Sequence, residues 1–209
     1  MIRLKFVCLA DTHMRHNDIE VPDGDILLCA GDFTSYGSKK DVKAFNVFLN
    51  TLPHKYKVVI AGNHDFLFEK QPVLAQSLLT NCIYLQDSSV EIEEFLIYGT
   101  PWQPWFYDWA FNLPRGKLLK EKWNLIPEDT DILITHGPPY GHGDKVIRNG
   151  PQGCIDLLDA IRRIIPKYHI FGHIHEGYGI TTEGSTTCIN ASNVDINYKP
   201  VNKVITFSI

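Results

Sequence analysis

Lys57-Val58-Val59-Ile60-Ala61-Gly62-Asn63-His64-Asp65 is an apolar run that breaks at a glycine and continues as amide, imidazole and carboxylate. The run 57–61 is short and continuous, the pattern of a strand covered on both faces. The same arrangement recurs. The run 4–10 leads into Asp11-Thr12-His13, and 25–30 into Gly31-Asp32. The run 131–135 leads into His136-Gly137-Pro138-Pro139, and 169–171 into Gly172-His173-Ile174-His175. Runs at 95–99, 186–191 and 203–209 read as strands without such a motif, and Glu183-Gly184 between Thr-rich flanks reads as a hairpin turn.

Helical patterns lie between the runs. Ser38 is placed to cap a helix reaching about Leu52, with Val42, Phe45, Phe48, Leu49 and Leu52 on one face and Pro53 beyond. Residues 154–165 carry Ile155, Leu158, Ile161, Ile164 and Ile165 at helical spacing, and Pro166 stops them. Weaker patterns cover 118–125 and 73–79. Strands alternating with helices early, then strand alone late, imply an α/β chain: two sheets with helices outside, one domain over residues 1–209. The motifs fall at strand ends, where open α/β sheets place ligands.

The chain has 209 residues and is 44% hydrophobic, enough for one well-buried domain. Its formal charge is -4, and Lys39-Lys40 and Arg162-Arg163 are pairs rather than a basic stripe. A grip on long nucleic acid is therefore not expected. No apolar run approaches membrane-spanning length, and the stretch from Met1 to Phe6 does not read as a signal peptide. Cys8, Cys29, Cys82, Cys154 and Cys188 are odd in number and widely spaced, which suits free thiols in a reducing compartment such as the cytoplasm.

Seven oxygen and nitrogen ligands in these motifs suffice for two adjacent divalent cations, the arrangement that attacks phosphate esters. Asp32 is suited to bridge two cations through its two oxygens. Asn63 offers a hard amide oxygen. His64 beside it can stay off the metals as a general acid, oriented by Asp65. His173 and His175 lie on the same side of an extended segment and can serve one ion each. Singly, each motif also reads as an ordinary polar turn or a satisfied histidine; jointly, five such accidents at strand ends are implausible. Arg15 can hold a phosphate or form a surface ion pair. Trp102 and Trp105 can stack a ring or simply pack. His142 and Asp144 can border the site, whereas His16, His54 and His169 carry no functional signal.

The series Asp11-x-His13, Gly31-Asp32, Gly62-Asn63-His64-Asp65, Thr135-His136 and Gly172-His173-x-His175 resembles the calcineurin-like metallophosphoesterase superfamily along essentially the whole chain. Asn81 to Asp87, Pro101 to Phe106, Phe111 to Gly116, Phe171 to Gly179 and Asn190-Ala191-Ser192 are similar to its metallophosphoesterase-domain-containing subgroup, itself similar to class III cyclic-nucleotide phosphodiesterases. The resemblance implies a four-layer α/β/β/α sandwich. It also implies one metal on Asp11, His13, Asp32 and His175, and a second on Asp32, Asn63, His136 and His173, with His64 as the acid. Two departures stand out. The superfamily often has Glu where this chain has Asp65. Phosphoprotein phosphatases carry Arg where this chain has Ala61, and a basic segment where it has Phe33-Thr34-Ser35, so protein dephosphorylation is not implied.

The expected function is hydrolysis of small phosphodiesters, cyclic nucleotides among them, by a hydroxide shared between two cations. Mn²⁺ or Fe²⁺ is expected first, with Zn²⁺, Co²⁺ and Ni²⁺ also admitted by mixed nitrogen and oxygen ligation. A phosphomonoesterase and a low-activity nucleotide-binding or scaffold protein are the alternatives.

Overall fold

The apolar runs pair largely as parallel strands. Lys5–Leu9, Ile26–Cys29, Tyr56–Val59 and Ile83–Tyr84 are parallel neighbours in that order, and Ile205–Ser208 adds an antiparallel edge beside Lys5–Leu9. The second sheet runs Gly179–Glu183, Thr186–Asn190, Tyr168–Phe171, Ile132–Thr135, Phe95–Thr100 and Ser88–Ile92. It is parallel at its centre and antiparallel at both edges. The computed structural model describes residues 3–147 and 149–209; Met1, Ile2 and Arg148, and with them the start of the N-terminal stretch, lie outside the described residues.

Alternate side chains of each strand face opposite ways, and both directions are filled. Between the sheets, Phe6, Cys8, Leu28 and Val58 of the first meet Ile97, Ile132, Ile134, Ile170 and Ile189 of the second. On the outer face of the first sheet, Val7, Leu9, Leu27 and Val59 pack against Val42, Phe45, Phe48 and Leu49 of the helix Lys39–Thr51. On the outer face of the second, Tyr98 and Leu133 pack against Leu119 and Trp123 of the helix Lys117–Trp123 and Leu157 and Ile161 of the helix Ile155–Ile164. These are the four layers of an α/β/β/α sandwich.

The helix ends follow local chemistry. Ser38 Oγ accepts from the Asp41 amide at 3.1 Å, capping the first helix. The apolar face of Ile155–Ile164 is Leu157, Leu158, Ala160, Ile161 and Ile164. Ile155 and Ile165, expected on that face, are exposed. The first opens the helix on its outer side, and the second sits in the left-handed position that ends it, at φ 54°. Among the described residues no helix is long and apolar enough to cross a membrane.

The parallel strands of both sheets end on one side, and there the sheets touch. Asn193 N donates to the Ala10 carbonyl at 2.9 Å, and Ala10 N donates to Asn193 Oδ1 at 3.2 Å. Gly62 permits the approach, since a Cβ there would lie 2.6 Å from His136 Cε1.

Phe6 tests the inter-sheet core. It is fully buried, stacked on Phe207 at 4.8 Å and edge-on to Phe95 at 5.7 Å. Phe6→Ala is expected to lose about 3–5 kcal/mol, read as a lower urea midpoint at unchanged slope. Val47→Ala, at an exposed position of the first helix, is expected to stay within about 0.5 kcal/mol.

Candidate metal centre

Each motif sits in the loop that leaves a parallel strand, and the backbone there is sharply bent. Asp11, His13, Asp32 and His173 all have positive φ, between 40° and 69°. L-residues avoid this region, and such positions persist only when surrounding structure holds them. The holding bonds are visible. Asp11 N donates to the Gly31 carbonyl, His13 N to the Asp32 carbonyl, and Gly172 N to the His136 carbonyl, at 2.9–3.0 Å.

The side chains converge in groups. Ligand atoms of Asp11, His13 and His175 lie within 4.8 Å of one another, as do those of Asp32, His136 and His173, and of His13, Asp32 and His64. Asn63 Oδ1 is 2.9 Å from His136 Nε2 and 2.8 Å from His173 Nδ1, which places it in the second group. Asp32 joins the groups. Its Oδ1 accepts from the His64 amide at 2.8 Å. Its Oδ2 faces His136 Nε2 at 3.4 Å, His13 Nε2 at 3.8 Å and His64 Nε2 at 3.9 Å.

Hydrogen bonds behind the rings decide what the front atoms offer. His136 Nδ1 donates to the Ala30 carbonyl at 2.8 Å, and His175 Nδ1 to the Asp195 carbonyl at 3.0 Å. Each neutral ring therefore turns an Nε2 lone pair inward. The lone pair of His175 meets His13 Nε2 at 3.3 Å, and that of His136 meets the Asn63 and Asp32 oxygens. Each of these pairs holds together only with a proton or a cation between its two atoms. The donor set therefore fits divalent cations, held by nitrogen and oxygen. Second contacts fix the carboxylate of Asp11, which accepts from Ser192 Oγ and from the His173 amide at 2.9 Å.

Protonation follows the same geometry. Burial pushes His13 down to about 4 and His173 down to about 3, so both are neutral at pH 7. Burial opposes the charge on His136 as well, but the Asp32 carboxylate beside it prevails and raises that ring to about 9. Burial also opposes the charge on Asp32, yet His136, His64 and His13 hold its carboxyl well below the usual carboxylate range.

The structure alters several expected roles. Asp65 does not orient His64. Its carboxylate accepts from the amides of Gly62, Asp32 and Thr34 at 2.8–3.0 Å and from Thr34 Oγ1 at 2.7 Å, tying the Gly31-Asp32 turn to the Gly62–Asp65 turn. Burial and the Asp32 charge push it up to about 7, against the pull of those donors. The Ser35 carbonyl orients His64, accepting from Nδ1 at 2.7 Å. Arg15 turns outward to Asp18 at 3.5 Å, because its short loop points it into solvent. Trp102 is a packing residue: its Nε1 donates to Asp87 at 2.9 Å, and the Lys122 ammonium lies 4.3 Å over its ring. Trp105 does line a cavity beside His173. His142 bonds Thr181 and Glu183, and Asp144 accepts from Gly141 and Gly153, so both brace a loop and not the centre.

Two side chains at the centre were not legible. Trp109 stacks on His64 with ring centroids 4.2 Å apart, and Tyr198 stands edge-on to His13 at 4.7 Å. The aromatic richness of 102–109 was a signal for the first. Nothing local marked the second, which arrives from a late loop.

A cation taking the second group must displace the proton on His136. Binding is therefore expected to release a proton at pH 7, and affinity to rise with pH up to about 9 and then level. Calorimetric titration with Mn²⁺ in buffers of different ionisation enthalpy checks this; no proton release would contradict it.

The Calcineurin-like phosphoesterase profile matches residues 4–177. The chain is 52% identical to Metallophosphoesterase domain-containing protein 1 of Homo sapiens, over 96% of this chain and 69% of that protein. It is 45% identical to UPF0046 protein T07D4.2 of Caenorhabditis elegans, over 95% of this chain and 59% of that protein. The solved structure of TT1561 of Thermus thermophilus shares the fold with a TM-score of 0.62 over 99% of both chains, at 13% identity. The motifs, their convergence at the strand ends and these likenesses place the chain in the calcineurin-like phosphoesterase family, whose members hydrolyse phosphoesters at two metals.

Proposed function

We propose that the protein hydrolyses small phosphodiesters, with one cation on Asp11, His13, Asp32 and His175 and another on Asp32, Asn63, His136 and His173. The observation that carries this reading is Asp32 Oδ2, which faces imidazoles of both groups. Cations bound there supply an activated water and neutralise phosphate charge. Nitrogen and oxygen donors without thiolate favour Mn²⁺ or Fe²⁺ and leave Zn²⁺, Co²⁺ and Ni²⁺ as further choices. Five free cysteines fit a reducing, cytoplasmic setting.

His64 is the proton donor in this reading. Ser35 and Trp109 hold its ring, and Nε2 points at the cleft beside Asp32; with Nδ1–H on the Ser35 carbonyl, the form that donates from Nε2 is the imidazolium. As water adds to phosphorus, the bond to the leaving oxygen breaks and Nε2 gives that oxygen its proton.

The side chains around the centre suit a diester better than a monoester. Among the described residues, the cleft of about 220 Å³ over the centre is lined by no Lys or Arg, and it includes the carboxylates of Asp32 and Glu176. With cations bound, the second charge of a monoester would have only those cations to meet it and no cationic side chain, whereas a diester brings one charge. Cyclic nucleotides are small monoanionic diesters and fall within this class.

The test compares an aryl phosphodiester with the matching monoester, with and without added Mn²⁺. Metal-dependent and faster diester cleavage is expected; faster monoester cleavage would move the protein to the phosphatases. His64→Ala is expected to lower turnover roughly 10²–10⁴-fold at near-normal metal content by elemental analysis. Collapse of metal content would make His64 a ligand instead. Asp32→Ala is expected to lose metal outright, and full occupancy would refute the bridging role.

A further inference from the structure

The cleft over the metal-binding side chains adjoins a second cavity of about 320 Å³. His173, Phe106 and Glu176 line both spaces, while His64 lines only the first. One wall of the second cavity is Trp105-Phe106-Tyr107, and the other includes Pro138 and Val146. The three aromatic residues are 61%, 47% and 68% exposed.

Three consecutive aromatic rings left in water forgo the burial that would stabilise the fold, yet the chain holds them there. Asn112 Nδ2 donates to the carbonyls of Phe106 at 3.0 Å and Tyr107 at 2.8 Å. Gln103 Nε2 donates to Asn112 Oδ1 at 3.1 Å, and Trp105 N donates to the Leu113 carbonyl at 2.8 Å. Tyr107 sits at φ 49°, a left-handed conformation that a bulky side chain avoids. Phe106 stands edge-on to the His173 ring at 5.9 Å, which joins this wall to the metal centre.

Among the described residues, the charged groups of the cavity are Arg115 and Glu176, which offset each other. The guanidinium of Arg115 already donates to the carbonyls of Gly153 and Gln152 at 2.7 and 2.6 Å. Glu176 adds negative charge where the two spaces meet. An uncharged planar group suits such a wall, since every aromatic ring presents a face that stacks.

We infer that this cavity holds the ester group that stays on phosphorus, and that this group is aromatic. The inference rests on the phosphodiesterase reading, with His64 as acid. The leaving oxygen must reach His64 in the first space, so the retained substituent points to the side His64 does not line. Water adds to phosphorus, the leaving bond breaks, the leaving oxygen takes the proton of His64, and the bond to the retained group stays intact. A monoester leaves the cavity empty.

The test uses the full chain with Mn²⁺ and two diesters that share a 4-nitrophenyl leaving group, one retaining methyl and the other phenyl. The phenyl diester is expected to show a kcat/KM on the order of tenfold higher. Trp105→Ala and Phe106→Ala are expected to bring that ratio toward one, and Trp105→Phe to restore most of it. Equal turnover of the two diesters, or a ratio unmoved by both alanine variants, would overturn the inference. If neither diester is cleaved, the phosphodiesterase reading fails by itself. Calorimetric titration with diphenyl and dimethyl phosphate then decides the cavity. Tighter binding of diphenyl phosphate that Trp105→Ala abolishes upholds the aromatic site, and equal binding ends it.

Discussion

Nitrogen and oxygen atoms from two sheets face one another in close pairs across a seam, and each pair needs a proton or a cation between its members. Asp11, His13, Asp32 and Asn63 come from the first sheet's loops, His136, His173 and His175 from the second's. The rings cannot turn away, because carbonyls of Ala30 and Asp195 fix two of them from behind. Without metal, the proton on His136 serves as the positive charge of the second group. Much of the surrounding architecture serves this contact. Gly62 removes a side chain from the seam, Asn193 stitches Ala10 to the segment after Thr186–Asn190, and the Asp65 carboxylate locks two turns together. An anion-binding reaction centre follows from a protein that has gathered more lone pairs than it can satisfy alone.

The sequence revealed the strands that carry ligands because these strands are buried on both faces. Continuous Ile, Val and Leu runs such as 58–60 and 132–134 are buried, and the ligand loop begins within two residues of each. The edge strand Ser88–Ile92 gave no such signal. It is half-buried and alternates Val90 and Ile92 with polar residues over only five positions. The short helix Phe66–Lys70 is likewise set by the turn before it, not by its own five residues. The helix Ile155–Ile164 was legible in place, but the two ends of its face, Ile155 and Ile165, were not. Ile165 looks periodic and is exposed because the backbone leaves the helix there.

Within the centre, ligand types were readable and supporting contacts were not. A histidine after a strand is visible in one dimension, but the atom behind its ring belongs to a distant loop. Asp65 is the clearest example. Its place beside His64 suggested a direct bond, whereas its carboxylate reaches back to Thr34 and Gly62 and leaves His64 to Ser35. Adjacent residues in a turn diverge in direction, so proximity in sequence was the wrong guide. Tyr198 lies beyond the stretch matched by the family profile, and only the fold brings it over His13.

The left-handed backbone at His173, φ 69°, sets fold against chemistry at a single position. Such a conformation costs a side chain about 1–3 kcal/mol, and glycine escapes it at the expense of roughly 0.4–1 kcal/mol of extra freedom in the unfolded chain. A glycine there would give up one ligand and relax the backbone in the same step. Against that relief stand the contacts of the ring with Asn63, Phe106 and His136, so backbone and side chain pull in opposite directions at this one position.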